Sequence, residues 1–421
     1  MENSLFSTVN FSGTRSGVDY IPYSTQCIED DDIEQVVQAL RSSYLSQGPR
    51  VDQFEEELKR VTGARHAITV SSGTAALHCA MVAMLSTSAS KIVWTSPLSF
   101  VASSNAPLAS GASIDFVDVD PSSGNISIGS LSEKLVAAER TGKLPSILIP
   151  VHFAGSSCDM QALQQLAARY HFKIMEDAAH GLGGYHADGS AIGSCKFSSA
   201  TALSFHAVKS ITTGEGGAVL TNDNAIAQIC ALFRTHGITR DPQRFQRPVP
   251  VSHHYEQSLL GFNYRLTDIQ CALGVSQLAK LPRFISRRRE IAEAYMSKLA
   301  DLEIDLPPFD PLSAWHLFPI RLEQRDTVFT KLRERKIGVN VHYPCIAGQP
   351  YYRELGFKSE DFPNAKRYSE SVLSIPIHPK LSNEQLERVV QELRTVLAEV
   401  RKLQQSLPVL AKAKPEGGGR A

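Results

Sequence analysis

The stretch that decides the fold runs from Glu176 to Gly217. It begins Glu176-Asp177-Ala178-Ala179-His180, directly after the apolar run Phe172 to Met175. Its second half begins Ser204-Phe205-His206-Ala207-Val208-Lys209, at the end of another apolar run, and closes on Thr213-Gly214-Glu215-Gly216-Gly217. We interpret both apolar runs as buried strands. Ligands of open α/β sheets bind beyond the carboxyl ends of the strands, so we expect Asp177 and Lys209 to face one ligand.

Short apolar segments bounded by turn residues recur on both sides of this stretch. Seven of them are predicted strands: Ala67 to Val70, Ile92 to Thr95, Ile114 to Val119, Ile147 to Val151, Phe172 to Met175, Ala200 to Phe205 and Ala218 to Leu220. Helical patterns separate several of them, as in Met160 to Tyr170. Strands that alternate with helices predict an α/β domain, and nearly continuous apolar strands predict a mainly parallel sheet covered on both faces.

The pattern changes from Asp268 onward, where helical periodicity dominates. Further predicted elements are strands at Leu317 to Leu322 and Val339 to Tyr343, a helix at Lys331 to Lys336 and a last helix at Asn383 to Leu403. We therefore expect four regions: a flexible N-terminus (1–20), a large cofactor-binding domain (21–280), a small C-terminal α+β domain (281–405) and a disordered tail (406–421).

Charge and composition are those of an ordinary globular protein. The 421 residues include 43 Lys and Arg against 43 Asp and Glu, so no net charge favours nucleic acid or an anionic membrane as a partner. The one basic run, Arg287-Arg288-Arg289, lies in a helical pattern. We interpret it as a solvent-exposed helix face rather than a phosphate or nucleic-acid patch.

Cysteine usage and targeting signals indicate a cytoplasmic protein. The seven cysteines are dispersed without paired spacing, which favours reduced thiols over disulfides and predicts no metal site. Residues Met1 to Tyr20 lack a continuous apolar segment, so we expect no signal peptide. No stretch has the apolar length of a membrane span.

A candidate phosphate site follows the first predicted strand. Ser71-Ser72-Gly73-Thr74 leads directly into an Ala-rich helical pattern. The start of a helix presents free backbone N–H groups and a partial positive charge, both of which favour phosphate. Taken alone the signal is weak, because hydroxyl residues are common helix caps.

Each of the other candidates also has an ordinary structural interpretation. A lysine at a strand end is usually a surface residue, and Asp177 is as readily a helix cap or a loop acid. His180 is most often a hydrogen-bonded polar residue near a turn. Their order along one α/β pattern is more specific. A candidate phosphate site comes first, then a carboxylate, then Ser204 and Lys209, which are followed by a Gly-rich turn. A lysine there can bond a carbonyl ligand, and a carboxylate can keep a pyridine nitrogen protonated.

From about Ile21 to Leu403 the chain resembles the DegT/StrS-type sugar-nucleotide aminotransferases, which depend on pyridoxal 5'-phosphate (PLP) and have fold type I. The motifs that carry the resemblance are Ser71 to Leu77, Glu176 to His180, Ser204 to Lys209, Thr212 to Gly217 and Gly261-Phe262-Asn263-Tyr264-Arg265-Leu266-Thr267-Asp268-Ile269-Gln270. Such a fold implies a large domain with a mainly parallel mixed sheet flanked by helices and a smaller C-terminal α+β domain.

The resemblance implies roles for individual residues. Lys209 would carry PLP covalently and Asp177 would face its ring nitrogen. The PLP phosphate would be held by Ser72, Gly73, Thr74 and Ser204, and by Asn263 of a neighbouring subunit, which implies a homodimer with a shared active site. The ring of Phe100 would lie against the cofactor, and His180 stands where many members have Gln near the cofactor's 3′-oxygen.

Within the family the motifs look most like the members that aminate C4 of a UDP-linked 4-keto-6-deoxy-N-acetyl hexose on the pseudaminic acid route. The resemblance then places Tyr23 and the loop Leu45, Ser46, Gln47, Gly48 against the sugar nucleotide, with His316 and His342 as further candidates. Packing under the first helix explains Tyr23 equally well. Glutamate is the expected amino donor.

Several alternatives stay open at this point. The nucleotide could be GDP or dTDP and the aminated carbon C3 or C4. Relatives that remove a hydroxyl carry His instead of the lysine, so Lys209 favours transamination. A dehydratase, an amino-acid-like aminotransferase and a catalytically idle regulatory or binding protein remain as other classes.

Overall fold

The computed structural model describes residues 19–247 and 253–406. The helices are α1 (Asp30–Arg41), α2 (Pro49–Thr62), α3 (Gly73–Leu85), α4 (Ala102–Ala109), α5 (Ile128–Thr141), α6 (Met160–Tyr170), α7 (Asn224–Phe233), α8 (Asp268–Lys298), α9 (Arg325–Glu334), α10 (Pro350–Glu354), α11 (Pro363–Ser371) and α12 (Asn383–Ser406). The strands are β1 (His66–Val70), β2 (Ile92–Thr95), β3 (Ser113–Phe116), β4 (Ile147–Ile149), β5 (Lys173–Asp177), β6 (Ala200–Ser204), β7 (Gly217–Thr221), β8 (Ile238–Thr239), β9 (Glu256–Gln257), β10 (Phe318–Arg321) and β11 (Val372–Ile375).

Seven strands form one mixed sheet in the order β1-β7-β6-β5-β4-β2-β3. Strand β7 pairs antiparallel with both β1 and β6, whereas β6, β5, β4, β2 and β3 pair in parallel. Every residue of β4 and β7 is buried, as expected for strands with helices on both faces. The predicted mainly parallel mixed sheet is thus confirmed.

Helix α3 packs on the middle of this sheet and brings its N-terminus to the strand ends. Nine of its residues are buried, including Leu77, Met81 and Met84, in the core that also contains Val70 and Val219. Small residues such as Ala76 and Ala80 let the helix approach the strands closely. This packing positions Ser72 and Gly73 above the end of β6.

The C-terminal region has its own core beside the sheet. Strands β10 and β11 pair antiparallel, and α9, α12 and the second half of α8 pack around them through side chains such as Tyr295, Phe318 and Leu393. Helix α8 is continuous across residue 280, where we predicted the domain boundary. The division at 280 stays a prediction, and residues 1–18 and 407–421 of the two predicted flexible ends lie outside the described residues.

Two sequence interpretations of this region are wrong. Val339 to Tyr343 is not a strand: Asn340 alone makes an isolated bridge, to Ser374, because the chain turns there toward the sheet ends. Arg288 is not solvent-exposed, since only 1% of its surface is accessible. Helices α10 and α11 and strand β11 were not predicted from the sequence.

Within residues 19–247 and 253–406, no helix combines the length and apolar character needed to cross a membrane.

Candidate active site

A cavity of about 910 Å³ lies at the carboxyl ends of β5 and β6, beside the N-terminus of α3. Eleven of the sequence-predicted site residues line it: Tyr23, Ser72, Gly73, Thr74, Phe100, Asp177, His180, Ser204, Lys209, His316 and His342. The structure therefore brings together residues that are up to 319 positions apart in the sequence, from Tyr23 to His342. A cavity of this size is typical of a small-molecule site.

The end of the cavity where we predicted a phosphate is built on the first turn of α3. Ser72 caps the helix, and its Oγ accepts the backbone N–H of Ala75 at 3.0 Å. Gly73 faces Ser204 so closely that a Cβ on Gly73 would lie 2.8 Å from the Ser204 Cβ. The backbone of the helix start is therefore bare, and its N–H groups and partial positive charge are available to an anion.

Asp177 ends strand β5 and is held by two donors. Ser103 in α4 donates its hydroxyl to Oδ2 at 2.5 Å, and the backbone N–H of Ala179 donates to Oδ1 at 3.1 Å. Ser99 lies 2.8 Å behind Ser103, oxygen to oxygen. Only 5% of the Asp177 surface is accessible. A carboxylate with fixed orientation in a site shielded from water suits a protonated ring nitrogen.

Lys209 reaches the cavity from the loop between β6 and β7. Its backbone N–H donates to His206 O at 2.9 Å, and the loop closes where Phe205 and Gly216 join by a backbone hydrogen bond. Burial lowers the pKa of the Lys209 ammonium to about 8, although the nearby Asp177 carboxylate opposes this shift. A lysine that is half deprotonated near pH 8 supplies the neutral amine needed for nucleophilic attack on a carbonyl.

His180 lies at the junction between the sheet domain and the C-terminal region. Its Nε2 is 2.9 Å from the Tyr343 hydroxyl, and the two rings are nearly parallel. The ring of His316 also packs against that of His180, with 4.5 Å between centroids. Burial, reinforced by the positive charge of Lys209, holds the pKa of His180 well below its usual value. His180 is therefore a neutral hydrogen-bonding group.

His342 and Tyr23 form the adjoining wall. The Nδ1 of His342 lies 2.9 Å from Ser374 Oγ, and its ring centroid is 5.4 Å from that of Tyr23. Burial, with a smaller contribution from Lys209, lowers the pKa of His342 to about 3. Phe100 also lines the cavity and is largely exposed, with its ring centroid 6.2 Å from that of Tyr343. This wall presents aromatic faces and neutral polar atoms.

Five predicted residues do not line the cavity of this chain. Asn263 is exposed and pairs with Thr235 through an isolated bridge. The loop Leu45 to Gly48 lies against the start of α8, where Gly48 N–H donates to Asp268 Oδ1 at 2.9 Å. Leu45, Ser46 and Gln47 are exposed. The role of Asn263 was predicted for a second copy of the chain, and the roles of all five residues stay predictions.

The residues that hold the predicted site residues in place were not predicted from the sequence. Ser103 and Tyr343 contact Asp177 and His180, but they come from segments 74 and 163 residues away. A buried cluster of His152, Glu176 and His186 on the far side of β5 was not predicted either. The alternation of side chains along a strand was the available signal for Glu176, because its neighbour Asp177 was placed at the ligand.

The described residues fit PLP at three points. The bare helix start at Gly73 offers room and N–H groups for a phosphate, the fixed Asp177 carboxylate suits a ring nitrogen, and the Lys209 amine can bond an aldehyde. When bound, PLP supplies an electron sink that stabilises negative charge on the carbon next to the amino group. These three residue types at one cavity are the requirement for that chemistry.

Comparison with known proteins supports the same assignment. SpsC, a spore coat polysaccharide biosynthesis protein of Bacillus subtilis, is 34% identical over 390 residues, which cover 90% of this chain and 97% of SpsC. The structure of Helicobacter pylori PseC, an aminotransferase involved in the biosynthesis of pseudoaminic acid, matches with a TM-score of 0.83 at 30% identity, covering 90% of this chain and all of PseC. The PLP form of Spr1654 from Streptococcus pneumoniae, described as a putative sugar aminotransferase, matches with a TM-score of 0.81 at 26% identity over 90% of this chain and 99% of Spr1654.

The sheet and the site define a fold type I, PLP-dependent aminotransferase. The chain belongs to the DegT/DnrJ/EryC1/StrS aminotransferase family, whose model matches residues 26–394. It is therefore a sugar aminotransferase.

Proposed function

We propose that this enzyme transfers an amino group from glutamate to C4 of a UDP-linked 4-keto-6-deoxy-N-acetyl hexose, on the way to pseudaminic acid or a related amino sugar. The observation that carries the proposal is the pairing of Lys209 and Asp177 in one cavity beside a helix N-terminus. The likeness to PseC supports the choice of sugar. The motif resemblance supports the same choice.

In this proposal each residue of the chain has a defined task. Lys209 holds the cofactor between turnovers. As a neutral amine it then takes the proton from the donor's α-carbon, and it acts again as acid and base when the amino group passes to the sugar. Asp177 keeps the ring nitrogen protonated. Ser72, Gly73, Thr74 and Ser204 hold the phosphate, and Phe100 packs on the ring.

The far wall of the cavity suits a neutral, hydroxylated sugar. His316 and His342 are held neutral by burial, and Tyr23, Asn340 and Gln349 also line this side. Neutral imidazole, phenol and amide groups hydrogen-bond to hydroxyl and acetamido groups, but they supply no positive charge to balance a diphosphate. We therefore place the hexose, rather than the diphosphate, at this wall.

A homodimer supplies what a single chain lacks. Among the described residues that line the cavity, Lys209 is the sole lysine or arginine, so the diphosphate and the donor carboxylates need cations from elsewhere. Apolar residues stay exposed near the predicted shared edge: Ile33, Leu40, Tyr44, Leu45, Leu260 and Phe262. Exposed apolar groups of this kind favour a subunit interface. A second copy would bring Asn263 to the phosphate and Leu45 to Gly48 to the sugar nucleotide.

We also place the enzyme in the cytoplasm. All seven cysteines are free thiols, and Cys79, Cys158, Cys195, Cys230, Cys271 and Cys345 are buried. Unpaired thiols are typical of a reducing compartment.

A two-step assay tests the function. The purified protein is expected to be yellow, to lose its colour with glutamate and to release 2-oxoglutarate. The colourless form is then offered UDP-, GDP- and dTDP-linked sugars with a keto group at C3 or C4, and recovery of the colour identifies the acceptor. Lys209→Ala is the control that loses both steps.

The outcomes separate the alternatives. Recovery with a GDP or dTDP sugar, or with a 3-keto sugar, overturns the proposed acceptor but keeps the sugar aminotransferase. Colour loss without recovery by any nucleotide sugar, and with recovery by 2-oxo acids alone, identifies an amino-acid-like aminotransferase. Loss of a sugar hydroxyl without amination identifies a dehydratase. A protein that binds PLP but never bleaches with any amino donor is a binding protein.

A further inference from the structure

Arg288 is a buried cation whose partners are all backbone carbonyls. It lies in α8 with 1% of its surface accessible. Its Nη1 donates to the carbonyl oxygens of Trp315 at 3.3 Å, His316 at 3.1 Å and Ile377 at 3.0 Å. Among the ion pairs of residues 19–247 and 253–406, none includes Arg288. Burial lowers its pKa to about 10, so the guanidinium remains charged at neutral pH.

The segment that Arg288 holds is the one that carries His316 into the cavity. Trp315 has a positive φ of 45°, which is strained for a residue with a side chain. The segment docks on the turn at Gly155, where Ala314 N–H donates to Gly155 O at 3.0 Å. A Cβ on Gly155 would lie 2.9 Å from Trp315 N and 3.0 Å from His316 N. The backbone of this loop therefore packs directly against the backbone of the turn at Gly155.

We propose that Arg288 is a positioning residue for substrate selection: its guanidinium fixes the Trp315–His316 backbone and so sets the His316 imidazole against His180 at the sugar-binding wall. A strained loop keeps its conformation only when its surroundings hold it. Here the carbonyls of Trp315, which is strained, and His316, which follows it, both accept hydrogen bonds from the Arg288 guanidinium. The part of this inference that concerns the sugar rests on the proposed function. The part that concerns the loop does not.

The charge of Arg288 also bears on which substrate group His316 recognises. Burial lowers the pKa of His316 well below its usual value, and the positive charges of Lys209 and Arg288 add to this effect. His316 is therefore neutral. A neutral imidazole fixed at this wall recognises a hydroxyl or acetamido group of the hexose and does not pair with phosphate.

The test compares Arg288→Met and Arg288→Lys with Arg287→Met in the full-length, PLP-loaded enzyme. Methionine removes the charge and the hydrogen bonds, while lysine keeps the charge but lacks the planar set of donors. Arg287 is a matched control, because it lies next in the same helix and contacts Glu290, Leu381 O and Asn383 Oδ1 instead of the His316 loop.

Trp315 provides a readout that needs no substrate. It is one of two tryptophans and is buried, and a Trp315→Phe variant identifies its share of the fluorescence. We expect acrylamide to quench Trp315 several-fold more readily in Arg288→Met, less so in Arg288→Lys and no more readily in Arg287→Met. We also expect the KM for the keto sugar to rise about tenfold in Arg288→Met, while the rate of colour loss with glutamate changes less than twofold.

Each result decides the inference. Unchanged quenching in folded Arg288→Met overturns it, whatever the activity. Increased quenching with an unchanged KM for the keto sugar overturns the selective role, and equal losses in both half-reactions do the same. If circular dichroism shows that Arg288→Met is unfolded, the same criteria apply to Arg288→Lys. If no nucleotide sugar is aminated by the wild type, the proposed function fails, and the quenching comparison still decides whether Arg288 holds the loop.

Discussion

Uptake of PLP by the apoprotein should depend on pH through the ionisation of Lys209. An amine attacks an aldehyde only in its neutral form, and burial lowers the pKa of Lys209 to about 8 from an ordinary 10.5, against the opposing effect of Asp177. At pH 7 about one Lys209 in ten is then neutral, compared with about one in 3,000 for an ordinary lysine. The fold therefore increases the reactive fraction about 300-fold at neutral pH.

The direction of the pH dependence follows from the lowered pKa of Lys209. Because the ammonium loses its proton early, the rate of uptake should rise about tenfold for each pH unit up to about pH 8 and be level above it. The assay mixes apoprotein with PLP between pH 6.5 and pH 10 and follows the growth of the yellow colour, with a soluble N-acetylated lysine as the ordinary amine. A rate that keeps rising tenfold per unit through pH 9.5, in parallel with that amine, would refute the reasoning.

The Asp177→Asn variant tests whether the Asp177 carboxylate influences the pKa of Lys209. The carboxylate raises the pKa of Lys209, so its removal should move the break in the profile to lower pH than in the wild type. A break that moves upward, or does not move, would show that Asp177 exerts no such field on Lys209. Lys209→Ala gives the signal of non-specific uptake.

Two further substitutions test the geometry of the cofactor site. Gly73→Ala places a Cβ 2.8 Å from Ser204, so PLP affinity measured by titration should fall about tenfold or more. Gly129→Ala, whose Cβ would make only an ordinary contact with Ser127 Oγ at 3.8 Å, is the control, and equal affinities would contradict the bare helix start. Ser103→Ala removes a hydrogen bond to a buried carboxylate, an interaction of about 1.5–3 kcal/mol, so kcat should fall about tenfold or more with PLP content unchanged. Ser104→Ala, which loses its contact with Tyr352 instead, should stay within twofold, and similar rates for both variants would refute the role of Ser103.

The sheet and the central pair of residues were predictable because both follow from local sequence. A buried strand is an unbroken apolar run, and the rule that ligands bind at strand ends places Asp177 and Lys209 together without any knowledge of distant contacts. Ser103 and Tyr343 were not predictable, since each meets its partner only after remote segments pack. Arg288 was misjudged because a charged helical residue is normally exposed, and its burial depends on three carbonyls from two other segments.

Glu176 and Asp177 show how far one strand can be interpreted from sequence. Adjacent side chains of a strand point to opposite faces, so one acid enters the cavity and the other enters the core. Burial alone would raise the pKa of Glu176, but hydrogen bonds from His152 and Ser198 hold it below its usual value. His152 accepts the Cys158 N–H at Nδ1, so its own proton is on Nε2 and faces Glu176 at 2.7 Å.

His152, the partner of the Glu176 carboxylate, also contacts the main chain at Asp177. The backbone N–H of His152 also donates to Asp177 O at 3.1 Å, and Asp177 N–H donates to Pro150 O at 2.9 Å. The residue that binds Glu176 on one face of the sheet therefore holds the main chain of Asp177. Because Thr201 of β6 also donates to Glu176, the same carboxylate ties the strand of Asp177 to the strand that leads to Lys209. From the core side of the sheet, hydrogen bonds from His152 and Thr201 thus join Glu176 to the strands that lead to Asp177 and Lys209.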